Sequence, residues 1–320
     1  MARDETLEVA LGFMSALDAN DAEAVRACMA PGATWWVDTG LDRLSGVHGT
    51  DPGEDRPWPL HGEMDVQAKC DLLAGLPARF PRGVRQIVTR AFASDGHAVL
   101  EVRGAGLFKG QRPYRNTYCF IVSVDGGRVT QIREYLDTRH SADVFEGRNL
   151  DRRTSVAVPP PLPSPKPTTP AGRAALRMLA AISAADVETF LGLFTPNATW
   201  WADGGRDRRW SDPGAPVNLD PEQLVVGRVP VTLRGRRIGE LAAAFEGGLS
   251  IVGHHLVEDA HRGSGLAMVE ASGDGLRLST GRHYQNRYAF VIRVDPAGLI
   301  HEVREYCDTL HAFDVYDFPL

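Results

Sequence analysis

Cysteine is scarce in this sequence, and its placement excludes a disulfide or zinc framework. The four cysteines, Cys28, Cys70, Cys119 and Cys307, form no CxxC pair. They also occupy no matching positions in the two halves of the chain, as a shared framework would require. This pattern is typical of a protein from a reducing cytoplasm.

An excess of basic charge and long apolar runs are also missing. The net charge is −6 and the isoelectric point is near 5.9, so the chain has no electrostatic footprint for nucleic acid or an anionic membrane. No apolar run approaches the roughly 20 residues of a membrane span. The acidic N-terminus favours an amphipathic helix over a signal peptide. We therefore predict a cytoplasmic protein with neither nucleic-acid nor membrane partners.

Motifs for metals and phosphate-bearing cofactors are absent as well. The ten histidines include no HxH or HExxH arrangement, and no glycine-rich loop precedes a helix in the way that cradles phosphate. The sequence predicts neither a metal nor a cofactor.

Proline, by contrast, is concentrated in one segment. The stretch SVAVPPPLPSPKPTTP, residues 155–170, contains seven prolines and predicts an extended spacer. A chain of 320 residues suits two domains of ordinary size. We therefore predict a first domain over 1–150, a linker over 151–170 and a second domain over 171–320.

The two halves carry the same motifs in the same order. The pairs are PGATWWVD (31–38) with PNATWWAD (196–203), YRNTYCFIVSVDGG (114–127) with YQNRYAFVIRVDPAG (284–298), and IREYLDTRHSADVF (132–145) with VREYCDTLHAFDVY (303–316). Order and spacing persist across whole halves, so the sequence predicts a duplicated domain.

Each half predicts helices first and strands afterwards. An amphipathic helix precedes the short ATWW strand, a loop rich in Gly, Pro and Asp follows, and a second helix is predicted around 65–80 and 237–248. The predicted strands are 86–93, 97–104, 114–124 and 128–137, with counterparts at 250–258, 265–273, 284–294 and 299–308. This order indicates an α+β fold in which a curved antiparallel sheet wraps over helices.

The repeated pattern Y-x-N-x-Y-x-F, followed by R-E-Y-x-D-T, resembles the SnoaL-like branch of the nuclear transport factor 2-like superfamily. The resemblance covers both halves except the linker and the loops near 39–60 and 204–233. It implies two cone-shaped α+β barrels that pair within the chain as a pseudo-dimer. The family includes polyketide cyclases, ketosteroid isomerase, dehydratases, limonene epoxide hydrolase and non-enzymatic binders, so the fold alone does not decide the function.

Strand alternation singles out one glutamate in each half. Glu134 shares a face of its strand with Ile132 and Leu136, and Glu305 shares the matching face with Val303 and Cys307. A carboxylate within an apolar wall is costly to ionise, so it can act as a general base or as a protonated hydrogen-bond donor. The alternative is that Glu134 only fastens the sheet through a salt bridge or a hydrogen bond to Tyr118.

Further candidates occupy matching positions in the two halves. Glu101 and Glu270 lie on a strand with aliphatic residues on both faces, so their face is left open. The resemblance places Glu134 and Glu305 at a catalytic position and Glu101 and Glu270 near another. The predicted substrate-binding residues are Asn116, Tyr118, Asn286, Tyr288, Trp35, Asp38, Trp200 and Asp203.

Two functional hypotheses follow. The first is an enzyme without a cofactor that moves protons on an apolar, oxygenated small molecule, as in cyclisation, isomerisation or dehydration. Epoxide opening is disfavoured, because Val99 and Met268 stand where the resemblance requires an Arg. The second is a non-catalytic module that binds a small ligand or assembles through its sheets.

Asp137 or Thr138 is predicted to cap the segment after the last strand.

Overall fold

The chain divides into two compact units, Met1–Asp151 and Arg152–Leu320. The structure is a computed structural model that describes residues 3–37, 62–145, 165–203, 213–214, 216–217, 227–259, 261 and 263–316. Most of the predicted linker lies outside these ranges, and its last residue, Pro170, is the first residue of a helix.

The first unit contains helices and strands in the predicted order. The helices are α1 (Arg3–Asp18), α2 (Ala22–Cys28), α3 (Val66–Ala74), α4 (Leu76–Arg79) and α5 (Thr138–Val144). The strands are β1 (Met29–Val37), β2 (Gly62–Asp65), β3 (Val84–Ser94), β4 (His97–Phe108), β5 (Arg112–Asp125) and β6 (Arg128–Leu136).

The second unit repeats this series. Its helices are α6 (Pro170–Ser183), α7 (Val187–Gly192), α8 (Val231–Ala244) and α9 (Thr309–Tyr316). Its strands are β7 (Phe194–Ala202), β8 (Gly227–Pro230), β9 (Phe245–Glu258), β10 (Leu266–Arg277), β11 (His283–Val294) and β12 (Ile300–Cys307).

Each unit has one six-stranded mixed sheet. The orders are β2-β1-β6-β5-β4-β3 and β8-β7-β12-β11-β10-β9, so corresponding strands occupy corresponding places. The sequence predicts an antiparallel sheet, and this prediction is wrong for one strand pair in each unit. β1 runs parallel to β6, and β7 runs parallel to β12. Within the described residues each sheet is curved and open. Each edge strand pairs with only one neighbouring strand, so the sheet does not close into a barrel. The predicted α+β class and duplication are confirmed.

Local sequence explains several helix ends. Asp21 accepts hydrogen bonds from the first backbone amides of α2, and Asp186 does the same for α7. Asp137 Oδ1 accepts from His140 N at 2.9 Å and caps α5, as predicted from the sequence.

The helix predicted at 237–248 is placed differently in the structure. It starts at Val231, inside the predicted loop, and ends at Ala244. Gly247 and Gly248 take positive φ angles within β9, a backbone conformation that glycine adopts at little cost. The earlier start matters for the site, because it brings Arg234 onto this helix.

One face of each sheet, here called the inner face, packs against the N-terminal helix of its unit. In the first unit the Trp35 ring lies edge-on to Phe13 of α1, with 5.3 Å between ring centroids. In the second unit Met178 and Leu179 of α6 belong to one apolar core with Trp200. The opposite face is called the outer face.

Candidate active site

Strand register places Glu134 on the inner face, as its strand pattern predicts. Glu134 lies opposite Phe120, which in turn lies opposite Leu100. Directly paired residues share a face of the sheet. The Phe120 ring is in edge contact with Trp35, at 6.3 Å between centroids, so this face is the one that carries α1.

Two donors hold the Glu134 carboxylate. The Trp35 indole donates from Nε1 to Glu134 Oε2 at 2.7 Å, and Lys69 Nζ of α3 donates to the same oxygen at 3.2 Å. The Lys69 ammonium also lies 4.2 Å from the Trp35 ring centroid, a cation–π geometry. Trp35, Lys69 and Glu134 are named the Glu134 site.

The two carboxylate oxygens of Glu134 differ in their hydrogen bonds. Both donors reach Oε2, and Oε1 accepts no hydrogen bond within the part of the chain that the structure describes. The Glu134 side chain is 9% exposed and the Lys69 side chain 4%. Glu134 is thus anchored through one of its two carboxylate oxygens.

The second unit repeats the arrangement with a different cation. Trp200 Nε1 donates to Glu305 Oε2 at 2.7 Å, and Arg234 Nη2 of α8 donates to that oxygen at 2.5 Å. The guanidinium carbon lies 4.8 Å from the Trp200 ring centroid. Glu305 Oε1 accepts no hydrogen bond from any described residue. Trp200, Arg234 and Glu305 are named the Glu305 site.

Burial changes the acid–base behaviour of the lysine. Removal from water lowers the pKa of Lys69, and the neighbouring Glu134 carboxylate opposes that shift. The free amine of Lys69 is therefore easier to form than that of a lysine in water.

A tyrosine lies beside each carboxylate on the same face. Burial raises the pKa of Tyr118 and of Tyr288 well above the usual value, and the neighbouring tyrosine hydroxyl adds to the shift in both. The Tyr118 hydroxyl lies 2.6 Å from the Tyr114 hydroxyl, and Tyr288 makes the same contact with Tyr284. These phenols stay protonated at neutral pH and can donate hydrogen bonds.

Glycine makes room for each of these tyrosine rings. A Cβ at Gly104 would lie 2.7 Å from Tyr118 Cε2, and one at Gly273 would lie 3.0 Å from Tyr288 Cε2. Both copies therefore keep the ring flat against the sheet.

The two asparagines predicted to bind substrate serve the fold instead. Asn116 Nδ2 donates to Ser141 Oγ at 2.6 Å and to the Asp137 carbonyl at 3.2 Å, while its Oδ1 accepts from two backbone amides. Asn286 ties β11 to Asp308 in the same way. Their amide groups are occupied by these bonds, so the substrate-binding expectation is corrected.

Glu101 and Glu270 do not join the inner-face sites. Glu101 lies opposite Cys119, which lies opposite Tyr135. Each of these residues is next in sequence to a residue of the Leu100–Phe120–Glu134 row, so its side chain points to the opposite face of the sheet. Glu101 is therefore on the outer face, 3.1 Å from Arg90 Nη1.

The same register places Glu270 on the outer face of the second sheet. It lies opposite Ala289, which in turn lies opposite Tyr306, and its carboxylate is 2.8 Å from His255 Nδ1. The expectation that either residue shares a site with Glu134 or Glu305 is wrong, because the pleat directs its side chain through the other face.

The remaining candidates fall into three groups. Trp35 and Trp200 belong to the sites. Asp203 is buried directly after β7, and Asp38 lies outside the described residues.

Lys69 and Arg234 were missed by sequence reasoning. Lys69 lies on a helix that the sequence predicts. The signal that could have identified it is a basic residue within the stretch VQAKCDLLA. Arg234 lies between the loop predicted near 204–233 and the helix predicted at 237–248, so the sequence assigns it to neither element.

Among the described residues, no group of three or more His, Cys, Asp or Glu is arranged to hold a metal ion. Over the same ranges, no helix combines the length and apolar character needed to cross a bilayer.

Comparison with known proteins gives a family match in the first unit. Residues 10–132 match the model of the SnoaL-like domain, and no curated protein matches the chain. An NTF2-like protein of unknown function from Burkholderia pseudomallei is 14% identical over 45% of this chain and 98% of its own, with a TM-score of 0.37.

Two other solved structures match over similar lengths. An LEH-like epoxide hydrolase from M. tuberculosis is 18% identical over 45% of this chain and 92% of its own, with a TM-score of 0.33. AusH from Aspergillus nidulans is 19% identical over 43% and 86%, with a TM-score of 0.34.

Motifs, register and the family match agree on one assignment. The first unit has the matched region and the second has the same strand order. Residues 10–132 therefore match the SnoaL-like domain, and the second unit repeats the strand order of the first.

Proposed function

We propose that the chain is a small-molecule enzyme that moves protons on an apolar, oxygenated substrate in each unit, without a cofactor. One observation carries the proposal: each inner face holds a buried glutamate that is anchored through Oε2 and leaves Oε1 without a partner among the described residues. A glutamate that only forms an ion pair does not need an oxygen without a hydrogen-bond donor, whereas a general base needs one to accept a proton.

The proposed reaction begins with removal of a C–H proton next to a carbonyl group. Oε1 of Glu134 or Glu305 accepts the proton, while the indole and the cation hold the carboxylate in place. The negative charge that develops on the substrate oxygen requires a donor in a site shielded from water. Tyr118 or Tyr288 supplies it, because its raised pKa keeps the hydroxyl protonated.

The tyrosine pair permits this direction of donation. Asn116 Nδ2 donates to the Tyr114 hydroxyl at 3.2 Å, and either hydroxyl of the Tyr114–Tyr118 pair can be the donor. With Tyr114 as that donor, Tyr118 directs its own proton to the substrate. Return of the abstracted proton to another atom completes an isomerisation, and loss of a hydroxide or attack on a second carbonyl gives dehydration or cyclisation.

Epoxide opening is not favoured. Val99 stands two residues before Glu101, where an Arg is required, and Glu101 itself lies on the outer face. The central-strand acid is therefore missing from the inner face.

A non-catalytic ligand-binding module is the second candidate. The observation that favours it is the ion pair itself, because a carboxylate held by Lys69 or Arg234 also fastens a helix to the sheet.

Three expectations from the sequence stay predictions. They are the pairing of the two units within the chain, the absence of a metal or cofactor, and a cytoplasmic location.

The test is deuterium exchange into carbon acids, followed by NMR on a panel of cyclic ketones. We expect Glu134→Gln and Glu305→Gln each to remove part of the exchange, and the double variant to lower it by about 100-fold or more, the usual share of a general base. The matched control is the double variant Glu101→Gln with Glu270→Gln, which alters buried glutamates of the outer face. Full exchange in the Glu134/Glu305 double variant would exclude the proposed base and favour the binding module.

A further inference from the structure

Lysine is rare in this chain, and one of its lysines is buried beside the candidate base. Of 35 Lys and Arg residues, three are lysines: Lys69, Lys109 and Lys166. Lys109 and Lys166 are exposed, whereas Lys69 is 3% exposed. A buried lysine loses the hydration that its ammonium gains in water, so such a position calls for a reason.

The second unit shows that an arginine can fill the same structural role. Arg234 reaches Glu305 Oε2 and lies over Trp200, as Lys69 reaches Glu134 Oε2 and lies over Trp35. A guanidinium stays protonated and does not condense with carbonyl compounds. An amine can lose its proton and become a nucleophile. The two sites thus differ in one chemical property.

We propose that Lys69 forms an imine with an aldehyde or ketone ligand in the first unit, while the second unit binds its carbonyl ligand without a covalent bond. The inference rests on the proposed function, because it uses the same inner-face site and names its substrate class as carbonyl compounds.

The step balances with the groups at hand. Glu134 accepts a proton from the Lys69 ammonium, and the free amine attacks the carbonyl carbon to give a carbinolamine. The carbinolamine oxygen then takes the proton back from Glu134 and leaves as water. The products are the protonated imine R₂C=NH⁺–Lys69, one water molecule and the restored Glu134 carboxylate, with no oxidant or reductant involved. The protonated imine then acidifies the neighbouring C–H bond for the same carboxylate.

Three features of the site support this chemistry. Lys69 Nζ and Glu134 Oε2 are 3.2 Å apart, which is within reach for direct proton transfer. The Glu134 side chain keeps 9% of its surface exposed, so a molecule that reaches the carboxylate also meets the amine. Burial lowers the pKa of Lys69, which raises the fraction of free amine.

The experiment is imine trapping on the full chain. The protein is incubated with cyclohexanone or butanal and sodium cyanoborohydride, which reduces an imine to a stable secondary amine, and the modified lysines are mapped by peptide mass spectrometry. We expect Lys69 to be alkylated faster than Lys109 or Lys166, because its lowered pKa raises the fraction of free amine and Glu134 lies within reach to take the proton.

Matched variants separate this site from the surface lysines. Lys69→Arg copies the cation of the second unit and is expected to abolish the fast phase, while Lys109→Arg with Lys166→Arg is expected to retain it. Alkylation of Lys69 at or below the rate of the exposed lysines in the native wild-type chain would overturn the inference, and this readout needs no variant to fold.

The two proposals fail separately. Absence of trapping together with Glu134-dependent deuterium exchange removes the imine and leaves the proton-transfer function. Trapping at Lys69 together with full exchange in the glutamine double variant supports the imine and removes the assigned base.

Discussion

Trp200 and Trp201 are neighbours in sequence, yet their indole N–H groups meet opposite surroundings. Trp200 donates to the Glu305 carboxylate at 2.7 Å on the inner face. Trp201 lies on the outer face against Tyr306, with 5.2 Å between centroids, and its buried Nε1 has no acceptor among the described residues. Both side chains are 1% exposed, so they form a matched pair for measuring the hydrogen bond.

We predict that Trp200→Phe lowers the free energy of unfolding more than Trp201→Phe does. Both variants lose similar ring area, but only the first removes a donor from a buried carboxylate, a loss of about 1.5–3 kcal/mol. Urea denaturation of the two variants measures the difference. Equal losses would show that the Trp200–Glu305 bond contributes nothing to the fold of the site.

Alternation along single strands explains why one glutamate was placed correctly and another was not. On β6 the neighbours of Glu134 at two-residue spacing are apolar, so parity identifies its face. On β4 every residue from Ala98 to Val102 is buried, so no alternation distinguishes the faces and Glu101 remains undecided. Register with β5 and β6 supplies the answer, and register depends on the assembled sheet.

At the scale of elements, the first helix of the second unit is fixed by one carboxylate. Glu258 at the end of β9 accepts hydrogen bonds from the amide and hydroxyl of Thr168 and of Thr169, at 2.6 to 2.8 Å. Thr169 is also the N-cap of α6. Burial disfavours the charged carboxylate, but these donors outweigh it and lower the pKa of Glu258.

We predict that Glu258→Gln lowers the free energy of unfolding by about 1.5–3 kcal/mol at neutral pH, the range for hydrogen bonds to a charged group. Because the pKa of Glu258 is lower in the folded chain than in the unfolded chain, its stabilising effect is present above the unfolded pKa. That effect is lost as the pH falls through the folded pKa. The difference between variant and wild type should therefore shrink under acid.

Denaturant unfolding at a series of pH values from neutral to acid checks this prediction. Glu246→Gln is the control, since Glu246 is exposed on the same strand. A deficit of Glu258→Gln that does not change with pH would mean that the charge of Glu258 is not what holds α6.

The elements themselves were largely predictable, whereas the contacts between helix and sheet were not. The long strands follow from hydrophobic runs bounded by turns. The structure extends most of them, whereas β6 and β12 are shorter than the strands predicted at 128–137 and 299–308. The four-residue strands β2 and β8 have too little pattern to be recognised. Lys69 and Arg234 reach their carboxylates from helices far away in sequence, and helical periodicity does not tell which strand residue a helix will face.

At the scale of the whole molecule, duplication has kept the site while changing its cation. Each unit carries a Trp, a Glu and a tyrosine pair in the same places, and Lys69 in one stands for Arg234 in the other. The sites share no residue, so we expect two ligands per chain. Since an arginine cannot form an imine, we also expect the two sites to differ in chemistry while agreeing in geometry.

The most direct test of this account is a crystal structure of the full chain with 2-naphthol, a planar phenol that mimics an enolate. We predict one ligand on the inner face of each sheet, with its hydroxyl on Tyr118 or Tyr288. A ring carbon should lie about 3–3.5 Å from Oε1 of Glu134 or Glu305, the separation of reacting atoms. A ligand bound on the outer face beside Glu101 or Glu270, with the inner faces empty at saturation, would contradict it.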